Sequence, residues 1–195
     1  MPSTLSQIRT EIDSHLQKST SERFFIDPKD LRSILTHTVI LGAILECSFP
    51  VHLHAHLAHE IFHRGIKVFA ILVQTRKPNS MTKFLERNEL DARLPFSQEQ
   101  LSDILQEDGK LFLRSQWDFL PHIFQRDYHQ HIPNSYVLPF LVEKTLDELE
   151  GAFGVISEIT ITSSMQALIT DHVRSQPAGH RAFSIMCSSA FRKDQ

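Results

Sequence analysis

The run Ile66-Lys67-Val68-Phe69-Ala70-Ile71-Leu72-Val73 constrains the fold of this chain more than any other stretch. All of it except Lys67 is apolar, so whatever element it forms has no polar face to turn toward water. It must lie inside, with other elements packed around it. Its β-branched residues favour a strand, while a fully buried helix would show the same pattern. Both remain open, and helix is favoured because helical periodicity leads into the run. It is far too short to cross a bilayer, which takes about 20 apolar residues in a helix.

The neighbours that such an element needs are written as helices up to about residue 130. Thr4-Leu5-Ser6-Gln7 has the spacing of a capping box, and Leu5, Ile8, Ile12 and Leu16 follow on one helical face. Asp27-Pro28-Lys29-Asp30 combines an acidic N-cap, a proline in the first turn and a second acid near the positive end of the helix dipole. Leu31, Ile34 and Leu35 supply its apolar side. Pro50 separates the apolar segment 39–45 from a histidine-rich stretch. Lys77-Pro78-Asn79-Ser80 ends the central run, a short helix is expected over 81–87, and Ser97-Gln98-Glu99-Gln100 forms a second capping box before Leu101, Ile104 and Leu105. Residues 112–124, with Trp117 and Phe119, read as aromatic core. From Val137 onward the pattern shifts to short β segments: residues 155–162 alternate, and a polar break follows over 163–180.

Composition narrows the class of partner. With 195 residues, 41% of them hydrophobic and 22% charged, the chain suffices for one domain, or one domain plus an appendage, around a sizeable core. A net charge of -3 leaves no basic stripe, so no nucleic acid is expected as a partner. No membrane association is expected either. Cys47 and Cys187 make neither a disulfide framework nor a zinc-ribbon spacing, and their scarcity fits a reducing compartment. Residues 1–18 carry no apolar segment of the secretory type. Cytoplasm, or cytoplasm and nucleus, is the expected location.

His59-Glu60-Ile61-Phe62-His63 matches H-E-x-x-H, the pattern in which two histidines one turn apart bind zinc and the glutamate polarises a water. The surroundings argue against a peptidase. Gly65 is out of step with the extended motif, Phe69 occupies its third-histidine position, and Glu86 and Glu89 are the remaining acids in range. A helical projection from Val51 puts His52, His56, His59 and His63 in one narrow arc. Val51, Ala55, Leu57, Ala58, Ile61 and Phe62 lie largely opposite. The four histidines thus read as a solvated strip able to chelate a borderline metal weakly, and His54 as a satisfied core histidine. No resident metal or other cofactor is expected.

A set of collinear blocks points elsewhere. Lys67-Val68-Phe69-Ala70-Ile71-Leu72-Val73 is followed by Asp91-Ala92-Arg93-Leu94-Pro95-Phe96, by Gln116-Trp117-Asp118-Phe119-Leu120-Pro121, by Leu138-Pro139-Phe140 and by Gly151-Ala152-Phe153-Gly154-Val155-Ile156. In this order and spacing the chain resembles, over about residues 20–190, a group of fungal proteins in which a helical N-terminal region precedes a protein kinase-like domain. The resemblance implies that Gly151 and Gly154 are the second and third glycines of a phosphate-covering loop. Phe153 would be its tip aromatic and Ile156 the residue that packs on adenine. Leu149 stands in the place of the first glycine. Phe183-Ser184-Ile185-Met186 resembles the V-A-I-K strand, with Met186 where a lysine pairs with the α- and β-phosphates. An uncharged thioether cannot neutralise phosphate. The acids that accept a proton and hold magnesium would, by the same resemblance, follow Gln195.

These readings combine into an α+β chain: a helical domain over 1–136, then a short β appendage over 137–195 resembling the first strands of a protein kinase N-lobe. The expected function is non-catalytic, that of a pseudokinase-like fragment serving as an interaction or regulatory module for an unidentified protein partner, or a remnant without a selected role. Two alternatives stand beside it: a zinc-dependent peptidase using His59, Glu60 and His63, and a gene-model fragment of a full kinase-like protein. The protein is expected to transfer no phosphate from ATP and to bind ATP–Mg²⁺ weakly or not at all. Radiolabelled transfer to a generic substrate, or saturable nucleotide binding by calorimetry, would contradict this. Met186→Lys alone should not restore transfer, because the lysine is one of several groups that must act together.

Overall fold

Capping chemistry sets where the helices begin in the computed structural model, which describes residues 3–125, 132–145, 157–167 and 181–183. Helix α1 (Thr4–His15) is capped by Ser3, whose Oγ accepts from the Ser6 amide at 3.1 Å. The cap therefore lies one residue before the expected Thr4 box. The Thr4 and Leu5 amides are left to donate to the distant Glu46 carboxylate. Ile8 and Ile12 are fully buried, whereas Leu16 leaves the helix and starts β1 (Leu16–Lys18), which pairs with β2 (Phe24–Ile26). Helix α2 (Pro28–Ile34) begins as its sequence predicts, with Asp27 accepting from the Lys29 amide at 2.8 Å. Helix α3 (His37–Leu45) is capped by Thr36.

After Pro50 a 3-10 turn (Val51–Leu53) leads into α4 (His54–Arg64), and Gly65 joins this to α5 (Ile66–Gln74). The ambiguous apolar run is thus a helix. Every residue of α5 except Lys67 and Gln74 is buried, and the helix packs against α1, α2, α4, α6 and α8. Gly65 sits in a close approach: a Cβ there would stand 2.8 Å from the Met81 methyl and 3.3 Å from Leu90 Cδ2, so these side-chain ends would have to shift. Helix α6 (Met81–Glu86) follows a 3-10 turn (Pro78–Ser80), and α7 (Gln98–Leu105) carries both halves of the Ser97/Gln100 capping box. Helix α8 (Gly109–Ser115) runs into a 3-10 turn (Gln116–Phe119).

The expected aromatic segment contributes Phe112 and Phe119 to the core, while Trp117 is only half-buried. Phe112 stacks on Phe84 with centroids 5.4 Å apart, and Phe96 completes the cluster at 5.7 and 5.9 Å from the other two rings. Gln116, buried completely, ties this cluster to the backbone. Its amide donates to the carbonyls of Phe96 and Leu113 at 3.1 and 3.2 Å, and its Oε1 accepts from the Phe96 amide at 2.9 Å.

The chain divides into two units, one of residues 1–16 and 25–120, the other of residues 17–24 and 121–195. The expected boundary after Tyr136 falls inside the second unit. The physical reason is hydrogen bonding. Arg23 donates to the carbonyls of Asn134, Ser135 and Tyr136 at 2.9, 2.6 and 3.2 Å, and the Thr20 amide donates to Phe140 O at 2.8 Å. His122 likewise donates its amide to Val137 O at 3.0 Å.

The second unit holds the remaining strands. A short parallel pair joins β3 (Phe124–Gln125) to β6 (Gln166–Ala167). An antiparallel sheet has the order β4-β5-β7, from β4 (Val142–Thr145), β5 (Ser157–Ile161) and β7 (Arg181–Phe183). Val142 pairs with Thr160 and Ile159 with Phe183. In β5 the buried residues Ser157, Ile159 and Ile161 alternate with the half-buried Glu158 and Thr160, as the period-two pattern requires. The described residues are thus α+β, mainly helical with a few short strands.

Truncating Phe84 removes one ring from a fully buried three-ring cluster. Phe84→Ala should destabilise the protein by about 3–5 kcal/mol, the usual cost of a large aromatic cavity. Leu111→Ala, at a site 57% exposed, should cost far less. Paired thermal melts of the two variants check the contrast, and similar melting losses would contradict the packing described here.

A cationic cleft as candidate functional site

The buried position of α5 creates an electrostatic problem at its first turn. The first amides of a helix have no intrahelical acceptor, and here they face protein. Asp91 answers it from a different part of the chain: its Oδ2 accepts from the Lys67 amide and its Oδ1 from the Val68 amide, each at 3.0 Å. Asp91 opens a 3-10 turn (Asp91–Arg93) that follows α6. The turn is set up by Asn88, whose φ of 55° is a left-handed conformation that asparagine tolerates, and by the Glu89 amide donating back to Phe84 O at 2.8 Å.

Around this cap lies a cleft of about 460 Å³ lined by Arg32, His63, Arg64, Lys67, Arg93 and Asp91, among others. Four elements contribute: the last turn of α2, the end of α4, the start of α5 and the 88–93 segment. Arg64 donates to Glu60 at 2.6 Å and to the Asn88 side-chain oxygen. Arg32, Lys67 and Arg93 make no close ion pair among the described residues. Burial pushes the Asp91 carboxyl above its ordinary range, against the pull of its two backbone bonds and of the Lys67 and Arg32 charges. Burial likewise lowers the Lys67 amine, which Asp91 opposes and Arg32 reinforces. The cleft therefore carries several cations around one carboxylate whose oxygens are already engaged.

A second cavity, of about 520 Å³, is lined by residues of α1, α2 and α3. Its titratable side chains, Glu11 and His15, lie 3.9 Å from each other and are solvent-exposed. It brings no comparable charge together.

The histidine strip takes the position expected of it. His52, His56, His59 and His63 are all exposed, although His52 belongs to the 3-10 turn rather than to α4, so the projection from Val51 holds only from His54 onward. Val51 and Ala55, placed by that projection on the apolar side, are exposed. His54 is buried, and its Nε2–H donates to Phe49 O at 2.9 Å. Glu60, the residue that would polarise water in a peptidase, is held by Arg64. Among the described residues no three His, Cys, Asp or Glu side chains gather as a metal-holding group. Burial and the Glu46 charge push the Cys47 thiol up to about 11, so it is a poor nucleophile at neutral pH.

Gly151, Phe153, Gly154, Ile156, Leu149 and Met186 lie outside the described residues. Sequence reasoning did not single out Arg32 or Asn88 as site residues, nor Lys67, Asp91 and Arg93 except as members of two resemblance blocks. Those two blocks meet here, since Asp91 caps the helix that Lys67 begins. Comparison with protein-family models, with curated proteins and with solved structures yields no match. No helix among the described residues is long and apolar enough to cross a membrane.

Removing the Asp91 carboxylate should unseat α5. Asp91→Ala is expected to cost about 1–2 kcal/mol, the upper part of the range for a lost helix cap, because both amides are left without an acceptor. Urea unfolding of the two proteins gives the difference. A change within a few tenths of a kcal/mol would show that the cap is dispensable.

Proposed function

We propose that this chain works by binding, as a non-catalytic interaction or regulatory module derived from a protein kinase-like protein. The observation that carries the binding half is the cationic cleft, which leaves Arg32, Lys67 and Arg93 without close carboxylate partners among the described residues. The partner class that such a surface fits is an acidic segment of another protein, whose carboxylates would pair with the guanidinium forks. The kinase-derived half rests on the collinear sequence blocks. Met186 at the lysine position and Leu149 at the first-glycine position support a role without phosphate transfer.

The test uses the full chain and a fluorescein-labelled peptide of alternating Glu and Asp, followed by anisotropy at low and at physiological salt. Saturable binding that weakens as salt rises is expected, because exposed charges are screened over about 10 Å at 0.1 M salt. Charge reversal by Arg32→Glu together with Arg93→Glu should weaken binding roughly ten-fold or more. Lys110→Glu, on the exposed face of α8, should change it little. Absence of saturable binding by the unaltered protein, or an equal loss in Lys110→Glu, would sink the proposal.

A further inference from the structure

His59 and His63 sit one turn apart on the exposed face of α4, and their ring centroids are 4.4 Å apart with the planes inclined at 52°. That separation has chemical meaning. A zinc–imidazole bond is about 2.0–2.1 Å, which puts the metal roughly 3.2 Å from each ring centre. Two imidazoles on one cation therefore have centroids about 4.5 Å apart when the bonds meet at about 90°, as in octahedral coordination, and about 5.2 Å apart at the tetrahedral angle of zinc. The two ring centres stand at about the octahedral separation and within about 1 Å of the tetrahedral one. Neither has to leave its helical position to share an ion.

The surroundings leave the pair available. His63 is braced on one side by Phe62, edge to face at 5.1 Å, and Phe62 is in turn contacted by His37 at 5.9 Å. Glu60 and Arg64, the charged residues interleaved with the histidines, pair with each other at 2.6 Å and largely cancel. Among the described residues neither ring is hydrogen-bonded to a carboxylate or carbonyl that a metal would need to displace, and both residues are exposed.

We propose that His59 and His63 form a bidentate site for a borderline divalent cation of the zinc, nickel or copper class, with water in the remaining coordination positions. Imidazole nitrogen suits these ions and not magnesium or calcium, which take oxygen ligands. Two protein ligands make it a reversible site of modest affinity rather than a structural one, which would take four. Glu60 is no part of it. His63 also lines the cationic cleft, so the bound ion stands at the cleft's rim. The site needs no acidic partner to exist, and it can be tested without one.

The experiment is calorimetric titration of the untagged full chain with NiCl₂ and with ZnCl₂, beside His59→Gln, His63→Gln, His56→Gln and Glu60→Gln. Both positions of the pair are exposed, and a thermal melt of each variant confirms that it is folded. Nickel and zinc should bind the unaltered protein saturably, and magnesium should not. Loss of either His59 or His63 should weaken binding about ten-fold or more, as expected when a chelate falls to a single ligand. His56→Gln and Glu60→Gln should leave it within about two-fold. Binding unchanged in folded His59→Gln or His63→Gln would overturn the proposal by locating the metal elsewhere. So would no saturable binding of either ion at millimolar concentration. Loss of binding in Glu60→Gln would also overturn it, in favour of a site built on the carboxylate. None of these outcomes depends on the acidic-peptide experiment, so each proposal can fail without the other.

Discussion

The N-terminus of α5 is the point on which the helical unit depends. A helix buried along almost its whole length gains strongly from its apolar side chains, but it cannot finish its first turn with water. An acceptor has to be brought in from elsewhere. Asp91 supplies two oxygens at 3.0 Å, and in doing so fixes the 88–93 segment against the junction between α4 and α5. Gly65 leaves room at that junction, where a Cβ would press on the ends of the Met81 and Leu90 side chains. The same solution recurs at α1, where Glu46 arrives from beyond α3 to accept from the Thr4 and Leu5 amides.

A buried carboxylate brings its own cost, and the cations of the cleft follow from it. Desolvation raises the Asp91 pKa, so this term favours the fold most at low pH and is lost as pH rises through the folded-state value. At neutral pH the ionised group must be stabilised locally. The two backbone bonds do the larger part of this, and the positive field of Lys67 and Arg32 adds to it. Lys67 is desolvated in turn, which is why its own pKa falls. Charge at this site is thus a structural requirement first. The functional question is how much cation exceeds that requirement, and Arg93, which has no close ion pair among the described residues, extends the positive field beyond it.

Local signals were legible in the sequence, and the site was not. The Asp27-Pro28 start, the Ser97/Gln100 box and the alternation of β5 each involve residues a few positions apart, where capping and periodicity rules operate. The solvent strip of His56, His59 and His63 was legible for the same reason. Expectation and structure part where a longer-range partner intervenes: Ser3 rather than Thr4 caps α1, and Glu46 takes the Thr4 and Leu5 amides. Likewise the second unit recruits residues 17–24 because Arg23 reaches carbonyls of residues 134–136. The cleft joins Arg32, Arg64, Lys67 and Arg93 from separate elements, and no spacing rule connects them. Three of the segments quoted from the sequence do interlock. Block 67–73 is capped by block 91–96, and Phe96 of that block is pinned by Gln116 of the next.

The division of roles within the cleft bears on what chemistry it can perform. A general base needs a lone pair free to take a proton, and an acid–base pair needs partners within hydrogen-bond reach of a substrate atom. Both oxygens of Asp91 already accept backbone bonds, so using either for proton transfer would loosen the first turn of α5. Its neighbours are guanidinium groups, which stay protonated and cannot exchange protons near neutral pH. Lys67 is the one cleft group whose amine is eased toward neutrality, yet the anion beside it is tied to the backbone of the same residue. A site whose carboxylate is committed to the fold and whose guanidinium groups are fixed cations is suited to holding an anion in place.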